Sequence, residues 1–365
     1  MHFTKLYNFP LTWVEESLDA RCIKQVRDWI EAPVSSCISE WLQMPPNKCG
    51  MGIISMKNRT QRLALNKRHA LKTSAQSDIS LLWSDTSAKK IDFDSRLLRH
   101  KGLSNAAKEL KKDQIDKASS HMLGLGYQGK SVKTIIETVP KNNISLWSSV
   151  LETVPANLFN FARKAIQQQL ATGANLARWK RISDPMCALC HSNKPQTNKH
   201  VLSNCESPVA LERYTTRHNK ILSILAGWIG SHIRPGQLLH SDLDDTSTLP
   251  VRDLFESFRP DLAIADANSI TVLELTVCHE TNLLASKEFK RNKYKNLAHN
   301  TTSLVGSKTI VTLTLEVSTI GFISDSMPFT VACNLLKFSK ELKTLIVSSA
   351  LKSSFEIYCS RNSSV

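Results

Sequence analysis

The pattern of apolar and polar residues changes along the chain, from a helical period in the first half to an alternating period in the last third. Near the N-terminus, apolar residues recur at helical spacing, at Ile23, Val26, Ile30 and Val34. A further amphipathic helix is predicted after Asn157, and Gly173 stands where such a helix should end. The N-terminal half of the chain is therefore predicted to be mainly helical.

From Leu254 onward, apolar residues alternate with polar ones, as is expected for half-buried strands. One predicted strand carries Glu274 inside an apolar run, and another covers Thr309–Val317. A helical segment lies between these two strands, and closing helices are predicted around Val331–Leu345 and Ser348–Tyr358. The C-terminal part is thus predicted as strand, turn, strand, helix and strand, followed by helices.

Length and composition limit the class of protein. A chain of 365 residues is long for one core, so two or three domains are expected. No apolar run approaches the ~20 residues that a membrane span needs, and the N-terminus lacks a secretory signal. The nine cysteines are odd in number and scattered, which argues against a disulfide framework. We therefore expect a protein of the nucleus or cytoplasm, in a reducing compartment, with no membrane partner.

The chain is strongly basic, with a formal net charge of +15 and a pI of about 9.4. Residues 51–130 contain 16 Lys and Arg residues against 7 Asp and Glu residues. A field of this kind attracts phosphate backbones, although a merely solvated basic surface is the alternative. Residues 73–155 have no clear hydrophobic period, and we expect short helices with mobile connections there.

A cluster of cysteine and histidine has the spacing of a metal site. The ligands are predicted to be Cys187, Cys190, His200 and Cys205, in the pattern C-x2-C-x9-H-x4-C. Structural Zn²⁺ is bound by four such ligands with no open position, and the metal would stabilise a spacer too polar to form its own core. His191 is a rival ligand, but it is adjacent to Cys190 and would strain the chelate. Ordinary free cysteines are the alternative interpretation.

Two acidic residues, Asp261 and Glu274, lie in neighbouring strand-like segments joined by a turn. In a hairpin the two carboxylates can come together at one end of the sheet. With a main-chain carbonyl they would form an oxygen-ligand site suited to Mg²⁺, or to Mn²⁺ in its place. The alternative is that Pro-Asp forms an ordinary turn and that the nearby lysines are solvated.

This arrangement resembles the PD-(D/E)xK nuclease pattern, with one departure. The family usually has a lysine two residues after the second acid, whereas this chain has Thr276. The following helix carries Lys290 and Lys293, three residues apart on one face, and a lysine there could reach the acids from the side.

The order of basic helices, cysteine–histidine knuckle and PD…E with a displaced lysine resembles one larger family. It is similar to the C-terminal portion of the reverse transcriptase polyprotein of site-specific non-LTR retrotransposons with a restriction-like endonuclease. The segment "KRNKY" is similar to that family's lysine helix, and "WLQMPPNKCGMGI" is similar to the stretch that follows the polymerase core. The chain contains no paired-aspartate palm motif, so the resemblance implies a piece that lacks the polymerase active site.

The resemblance implies an α+β multidomain fold. It has a mainly helical N-terminal half, a small zinc knuckle and a C-terminal α/β PD-(D/E)xK-like nuclease core with a mixed sheet. The predicted parts are a helical thumb-like segment at 1–72, a basic helical linker at 73–184, the knuckle at 185–206 and a restriction-like endonuclease domain at 207–365.

The resemblance also implies an activity and a set of partners. Asp261 and Glu274 would hold Mg²⁺ or Mn²⁺, Lys290 would be the catalytic lysine, and Lys293 would be a second charge facing phosphate. Arg259 and Glu256 are further supporting candidates. The protein would nick a DNA target for target-primed reverse transcription, with element RNA and a separate reverse transcriptase polypeptide as possible partners. The alternative is a catalytically inactive, zinc-containing nucleic-acid-binding fragment or a scaffold for protein interactions.

Overall fold

The computed structural model of the protein describes residues 9–79, 103–190, 192–243, 259–295, 308–324 and 339–363. Contacts between residues divide the chain into two compact units, Met1–Gly126 and Tyr127–Val365. None of the described helices contains an apolar stretch of the length that a membrane span requires.

The described ranges of the first unit contain helices joined by loops and no strand. Helix α1 covers Ala20–Trp29 and continues from a π-helical segment at Val14–Asp19. The longer helices described after it in this unit are α2 (Ile38–Gln43), α3 (Met56–Lys72) and α4 (Leu103–Gly124). The carboxylate of Asp19 accepts hydrogen bonds from the backbone N–H groups of Met56 and Lys57, which would otherwise lack partners at the start of α3.

The helical period predicted near the N-terminus ends earlier than expected. Helix α1 stops at Trp29, Ile30 is its C-cap, and Val34 is 85% exposed. Glu31 adopts a left-handed backbone conformation (φ 48°) directly after the cap, and Pro33 has no N–H to continue a helix.

Helices α3 and α4 pack through a small apolar cluster of Leu65, Ala106 and Leu110. The amide of Asn58 donates to the backbone carbonyl of Leu110 at 2.8 Å, in a buried position. Helix α4 has 22 residues, so this part of the stretch predicted to contain short helices forms a long one. Residues 80–102 of that stretch lie outside the described residues.

The second unit combines helices with a sheet. Before the knuckle it has α5 (Gln128–Thr138), α6 (Lys141–Leu151), α7 (Ala156–Ile166) and α8 (Gly173–Arg178). After the knuckle come α9 (Pro208–Gly230), α10 (Leu283–Lys295) and α11 (Lys340–Cys359). The single helix α11 replaces the two closing helices predicted from sequence, and residues 331–338 of that prediction lie outside the described ones.

The amphipathic helix predicted to run to Gly173 ends at Ile166 instead. Gln168 has φ 57°, a left-handed conformation that breaks the helix, and Gly173 begins α8. A Cβ atom at Gly173 would lie 2.8 Å from the carbonyl oxygen of Pro185, so glycine allows this close approach of the chain that enters the knuckle. The predicted apolar face is nevertheless buried, including Phe161.

The sheet is mixed, and its four strands within the described residues lie in sequence order. They are β1 (Leu238–Ser241), β2 (Leu262–Ala265), β3 (Ser269–Cys278) and β4 (Thr309–Ser318). The pairs β1–β2 and β2–β3 are antiparallel, whereas β3–β4 is parallel and is joined through α10. The predicted order of strand, turn, strand, helix and strand is therefore confirmed, and β1 is an addition to it.

The described chain thus consists of helices and a small mixed sheet, which agrees with the predicted helical N-terminal half and C-terminal mixed sheet. Residues 127–184, which the sequence assigned to a linker, lie in the second compact unit with the knuckle and the sheet. The four predicted domain boundaries themselves stay predictions. The rival ligand His191 and the supporting candidate Glu256 lie outside the described residues.

Candidate functional site

The second unit contains a cysteine–histidine cluster and a group of acids on the sheet. The cluster begins in a short hairpin-like turn, in which Met186 forms an isolated antiparallel bridge with Pro195 and Cys187 N donates to the carbonyl of Lys194. Its other end is a π-helical segment, His200–Asn204, that leads directly to Cys205. The turn and the π-helical segment bring residues distant in sequence to one point.

The ligand atoms of the four predicted zinc residues all lie within 4.8 Å of one another. Cys187 Sγ lies 3.9 Å from Cys205 Sγ, and Cys190 Sγ lies 3.4 Å from His200 Nε2. In a tetrahedral zinc site the sulfurs are about 3.8 Å apart, and sulfur and nitrogen are about 3.5 Å apart, as follows from the usual bond lengths. The residues present therefore fit one tetrahedral Zn²⁺.

The protonation of the cluster also suits a metal. Burial lowers the pKa of His200, and the charge of Lys194 acts in the same direction, so the imidazole is neutral at pH 7. Burial tends to raise the pKa of the Cys190 thiol, but hydrogen bonds from Ser192 and neighbouring thiols outweigh it and lower that pKa. Burial raises the pKa of Cys187, whose deprotonation would accompany metal binding.

Helix α9 anchors the cluster to the rest of the unit. Its N-cap is Ser207, whose hydroxyl accepts from Ala210 N and lies 3.5 Å from Cys205 Sγ. Two turns further on, Tyr214 Oη accepts from Cys205 N at 3.2 Å and lies 2.8 Å from the carbonyl oxygen of Val201. Burial raises the pKa of Tyr214 well above its usual value, so the phenol stays protonated and can donate.

Arg217 extends this contact inward. Arg217 is 1% exposed, and its guanidinium donates to the carbonyl of Leu202 at 2.8 Å and to Ser354 Oγ on α11 at 3.0 Å. Burial lowers its pKa to about 10, which leaves it charged at pH 7. Arg217 thus joins the π-helical segment of the cluster to the last helix.

The two predicted acids lie at adjacent strands of the sheet, one just before β2 and the other within β3. Asp261 immediately precedes β2, and its Oδ2 accepts from the backbone N–H of Leu275 at 2.7 Å. Glu274 lies in β3, and its residue is 1% exposed. The β2–β3 pairing sets Leu262 opposite Leu273, so the two acids come to the same end of the hairpin.

Helix α10 brings Lys290 to both acids. Lys290 Nζ donates to Glu274 Oε2 and lies 3.9 Å from Asp261 Oδ2. Tyr294, one turn later, donates from its hydroxyl to Glu274 Oε1. Burial raises the pKa of Tyr294 far above its usual value, and the bond to Glu274 adds to this rise. Each carboxylate oxygen of Glu274 therefore has a donor.

The other predicted residues have different surroundings. Lys293 Nζ lies 3.2 Å from Tyr294 Oη and 4.8 Å from the centre of that ring. Arg259 forms two hydrogen bonds with Asp242, next to β1. Thr276, where the nuclease pattern has lysine, has a buried hydroxyl with no hydrogen-bond partner among the described residues.

A histidine also contacts this group. His218, on α9, has its Nε2 3.5 Å from Asp261 Oδ1 and 3.3 Å from the carbonyl oxygen of Leu275. Burial tends to lower the pKa of His218, but the interaction with Asp261 and the bonds to Asn219 and Leu275 outweigh it and raise that pKa.

The two acids and Lys290, here the acid group, differ from the knuckle in one respect. In the knuckle, four Cys and His side chains lie close enough together to hold a metal by themselves. No other group of three or more His, Cys, Asp or Glu side chains does so among the described residues. In the acid group, the ammonium of Lys290 lies between the two carboxylates. The donor set there consists of two carboxylates and the carbonyl of Leu275, which are the hard oxygen ligands that Mg²⁺ and Mn²⁺ accept.

Sequence reasoning missed His218 and gave Tyr294 no role. Tyr294 had a signal, because it stands four residues after Lys290 on one helical face. His218 had none, because its contact with Asp261 spans 43 positions of sequence and depends on how α9 packs against the sheet. Asp261, Glu274, Lys290, Tyr294 and His218 together form the acid site.

Comparison with known proteins supports the knuckle. The family profile described as zinc-binding in reverse transcriptase matches residues 131–211. A search of curated proteins returns no match. The matched range starts in α5, contains all four predicted zinc ligands and ends in the first turn of α9. This part of the chain is therefore similar to the zinc-binding domain associated with reverse transcriptases.

Proposed function

We propose that the protein is a metal-dependent DNA endonuclease with a reverse-transcriptase-type zinc module. The observation that carries this proposal is the convergence of Asp261, Glu274 and Lys290 from three different elements. A buried carboxylate pair facing a lysine is costly to maintain as mere structure, which supports a functional reason for it. The fold of this region would then be a PD-(D/E)xK-like core in which α10 supplies the lysine.

The residues divide the chemical work between them. Asp261 and Glu274 would hold Mg²⁺ or Mn²⁺, which supplies an activated water and offsets charge on the phosphate. Lys290 would add a positive charge beside the reacting phosphate, which Thr276 cannot supply. Lys293 would be a second positive charge near the bound backbone, and Tyr294 would hold Glu274 in place.

The proposed role is to nick target DNA and leave a 3′-hydroxyl that can prime reverse transcription. The zinc-module match supports a link to reverse transcriptases. A reverse transcriptase polypeptide and element RNA would then be partners. The basic stretch at 51–130, with exposed lysines on α4 such as Lys108, Lys111 and Lys112, would attract the nucleic-acid backbone.

A second candidate is nucleic-acid binding without cleavage. Lys290 and Tyr294 already satisfy both oxygens of Glu274, as in a structural ion pair. In that case the acid site would only stabilise the sheet, and the zinc module would only bind nucleic acid.

The two candidates separate in a plasmid-nicking experiment. Wild type should nick supercoiled DNA with Mg²⁺ or Mn²⁺, and a DNA polymerase should extend the ends. Asp261→Asn and Glu274→Gln should abolish nicking and retain DNA binding in a filter assay, because the basic surface is separate in sequence. Glu356→Gln, which removes only an exposed ion pair with Lys220, is the control.

Two results would contradict the endonuclease. Equal nicking by wild type and Asp261→Asn would identify a contaminant. Tight DNA binding by all variants without nicking by any would favour the second candidate.

A further inference from the structure

We propose that His218 is a ligand of the metal ion at the acid site, and that this nitrogen ligand makes the site prefer Mn²⁺ to Mg²⁺. The inference deepens the proposed endonuclease and rests on metal binding at Asp261. It adds a residue from α9, outside the strands and the helix that supply the two acids and the lysine.

The geometry that carries the proposal is the position of one imidazole nitrogen. His218 Nε2 lies 3.5 Å from Asp261 Oδ1 and 3.3 Å from the carbonyl oxygen of Leu275. The other carboxylate oxygen, Asp261 Oδ2, is fixed by the N–H of Leu275 at 2.7 Å. This bond turns Oδ1 toward His218, so two oxygens and one nitrogen face one another.

These separations are close to those of ligands on a single ion. Ligands about 2.1 Å from an octahedral ion lie about 3 Å apart when they occupy neighbouring positions. The observed separations of 3.3 and 3.5 Å need only a small inward movement to reach this value. An ion held by Asp261 Oδ1 and the Leu275 carbonyl would therefore have Nε2 within bonding reach.

The second nitrogen of His218 is supported as metal-bound histidines usually are. Nδ1 lies 3.2 Å from Asn219 Oδ1, so an Nδ1–H can donate to the amide oxygen when a metal ion replaces the proton that Nε2 directs at the Leu275 carbonyl and Asp261. The side chain of His218 is 25% exposed, which gives an ion access from solvent.

Lys290 does not block this position. Its ammonium lies 3.9 Å from Asp261 Oδ2 and donates to Glu274, so it contacts the oxygen that faces away from His218. An ion on Asp261 Oδ1 would therefore leave Lys290 in place, and Glu274 would complete the ligand set only when its bond to Lys290 opens.

The nitrogen ligand determines the preferred ion. Carboxylate, carbonyl and water oxygens suit Mg²⁺ and Mn²⁺ alike, whereas imidazole binds transition metals better than it binds Mg²⁺. A site with one imidazole should therefore discriminate in favour of Mn²⁺, and removal of the imidazole should remove this preference.

The test measures metal binding by zinc-loaded protein without any cleavage assay. Mn²⁺ binding is followed by the loss of the free-ion electron paramagnetic resonance signal, and Mg²⁺ affinity by competition. Mn²⁺ should not displace zinc from the knuckle, because Zn²⁺ binds such ligands more tightly. The variants are His218→Gln, Asp261→Asn and the control His232→Gln, an exposed histidine just after α9.

We expect one Mn²⁺ at the acid site in wild type and in His232→Gln, and none in Asp261→Asn. His218→Gln should weaken Mn²⁺ binding at least ~10-fold, a loss typical of altered ligand shells, and should change Mg²⁺ binding far less. Pulsed electron paramagnetic resonance of the wild type should detect a nitrogen nucleus coupled to Mn²⁺. Labelling of histidine with ¹⁵N should change that coupling. This last measurement needs no variant, so it decides the matter even if His218→Gln misfolds.

The outcomes distinguish the two levels of the proposal. Mn²⁺ that binds through Asp261 without nitrogen coupling would overturn the role of His218 and leave the endonuclease standing. The absence of any binding that depends on Asp261 would overturn the metal-dependent nuclease, and the inference with it.

Discussion

At the scale of single residues, the burial of Glu274 sets the requirements of the acid site. A carboxylate that is 1% exposed needs donors, and here Lys290 and Tyr294 each supply one. Lys290 is the charged member of this pair of donors and lies between two carboxylates. Its removal would leave Glu274 with a neutral partner only, which makes Lys290 important for folding as well as for the proposed chemistry.

Replacement of Lys290 by methionine should therefore destabilise the protein. The apolar stem is kept and the charge is lost, so we expect the free energy of unfolding to fall by roughly 1–3 kcal/mol, as for an unsatisfied buried group. The measurement is urea unfolding at pH 7. The control is Lys287→Met, one turn earlier on α10, where no ion pair occurs among the described residues. Equal stability losses in the two variants would contradict the role of Lys290.

The sequence made part of this arrangement predictable at the residue scale. Asp261, Glu274 and Lys290 could be selected because acids inside apolar runs and a cluster of lysines are visible in the sequence. His218 could not be selected, since a lone histidine on a predicted helix has no visible partner. Its contact with Asp261 exists only once α9 packs on the sheet.

At the scale of elements, the connection from β3 to α10 holds the lysine helix in place. His279 follows the strand directly and caps the short 3₁₀ helix Glu280–Asn282, accepting at Nδ1 from the backbone N–H of Thr281. Its Nε2 lies 3.0 Å from Glu280, and both side chains are almost fully buried. The cap requires an unprotonated Nδ1, so protonation of His279 would remove it.

This cap should make stability depend on pH. Burial lowers the pKa of His279, with Lys199 and Lys130 acting in the same direction and Glu280 opposing them. In the unfolded chain the pKa is about 6.5. Because the folded value lies below it, the stability is fully present above pH ~6.5 and is lost as pH falls through the folded pKa.

Urea unfolding of zinc-saturated protein between pH 7.5 and 5 tests this dependence. His279→Gln should lower stability at pH 7.5 and flatten the decrease toward pH 5. The other histidines titrate in both proteins, so the difference between the two curves isolates His279. Parallel curves would show that its protonation is not coupled to folding.

Element ends were less predictable than element types. The alternating period identified β2, β3 and β4, because one or both faces of each strand are buried. Strand β1 was missed, since its four residues form a strand only by pairing with β2. Helix α7 was predicted to be too long. The left-handed conformation of Gln168 ends the helix, and a glutamine in the sequence gives no sign of this conformation.

At the scale of the whole molecule, the zinc module and the acid site are parts of one compact unit. Tyr214 and Arg217 bind the backbone of the module, and His218 contacts Asp261, all from α9. The sequence grouped Cys187, Cys190, His200 and Cys205 as predicted ligands, and their ligand atoms do lie close together, but it treated the knuckle as a separate segment. The hydrogen bonds of Tyr214 and Arg217 link distant parts of the fold, and the period of apolar residues along the sequence does not reveal them.

Loss of zinc should therefore destabilise the whole second unit. Elemental analysis should give one zinc per chain, and Cys187→Ser should lose it. Structural zinc contributes a large share of folding free energy, so a loss on the order of 5 kcal/mol would lower the Tm by about 10–20 °C. Cys359→Ser, at an exposed cysteine, is the control. Unchanged zinc content in Cys187→Ser would contradict the assignment.

Because α9 contacts both the zinc module and the acid site, it also restricts how proteins with this arrangement can recombine. Each residue added to a helix rotates everything beyond it by about 100°. One residue inserted between Tyr214 and His218 would turn the histidine away from Asp261 while the tyrosine kept its hold on the module. Length changes between relatives should therefore fall in loops and spare this helix. A chimaera that joins the zinc module of one relative to the sheet of another must keep the spacing of these side chains to remain functional.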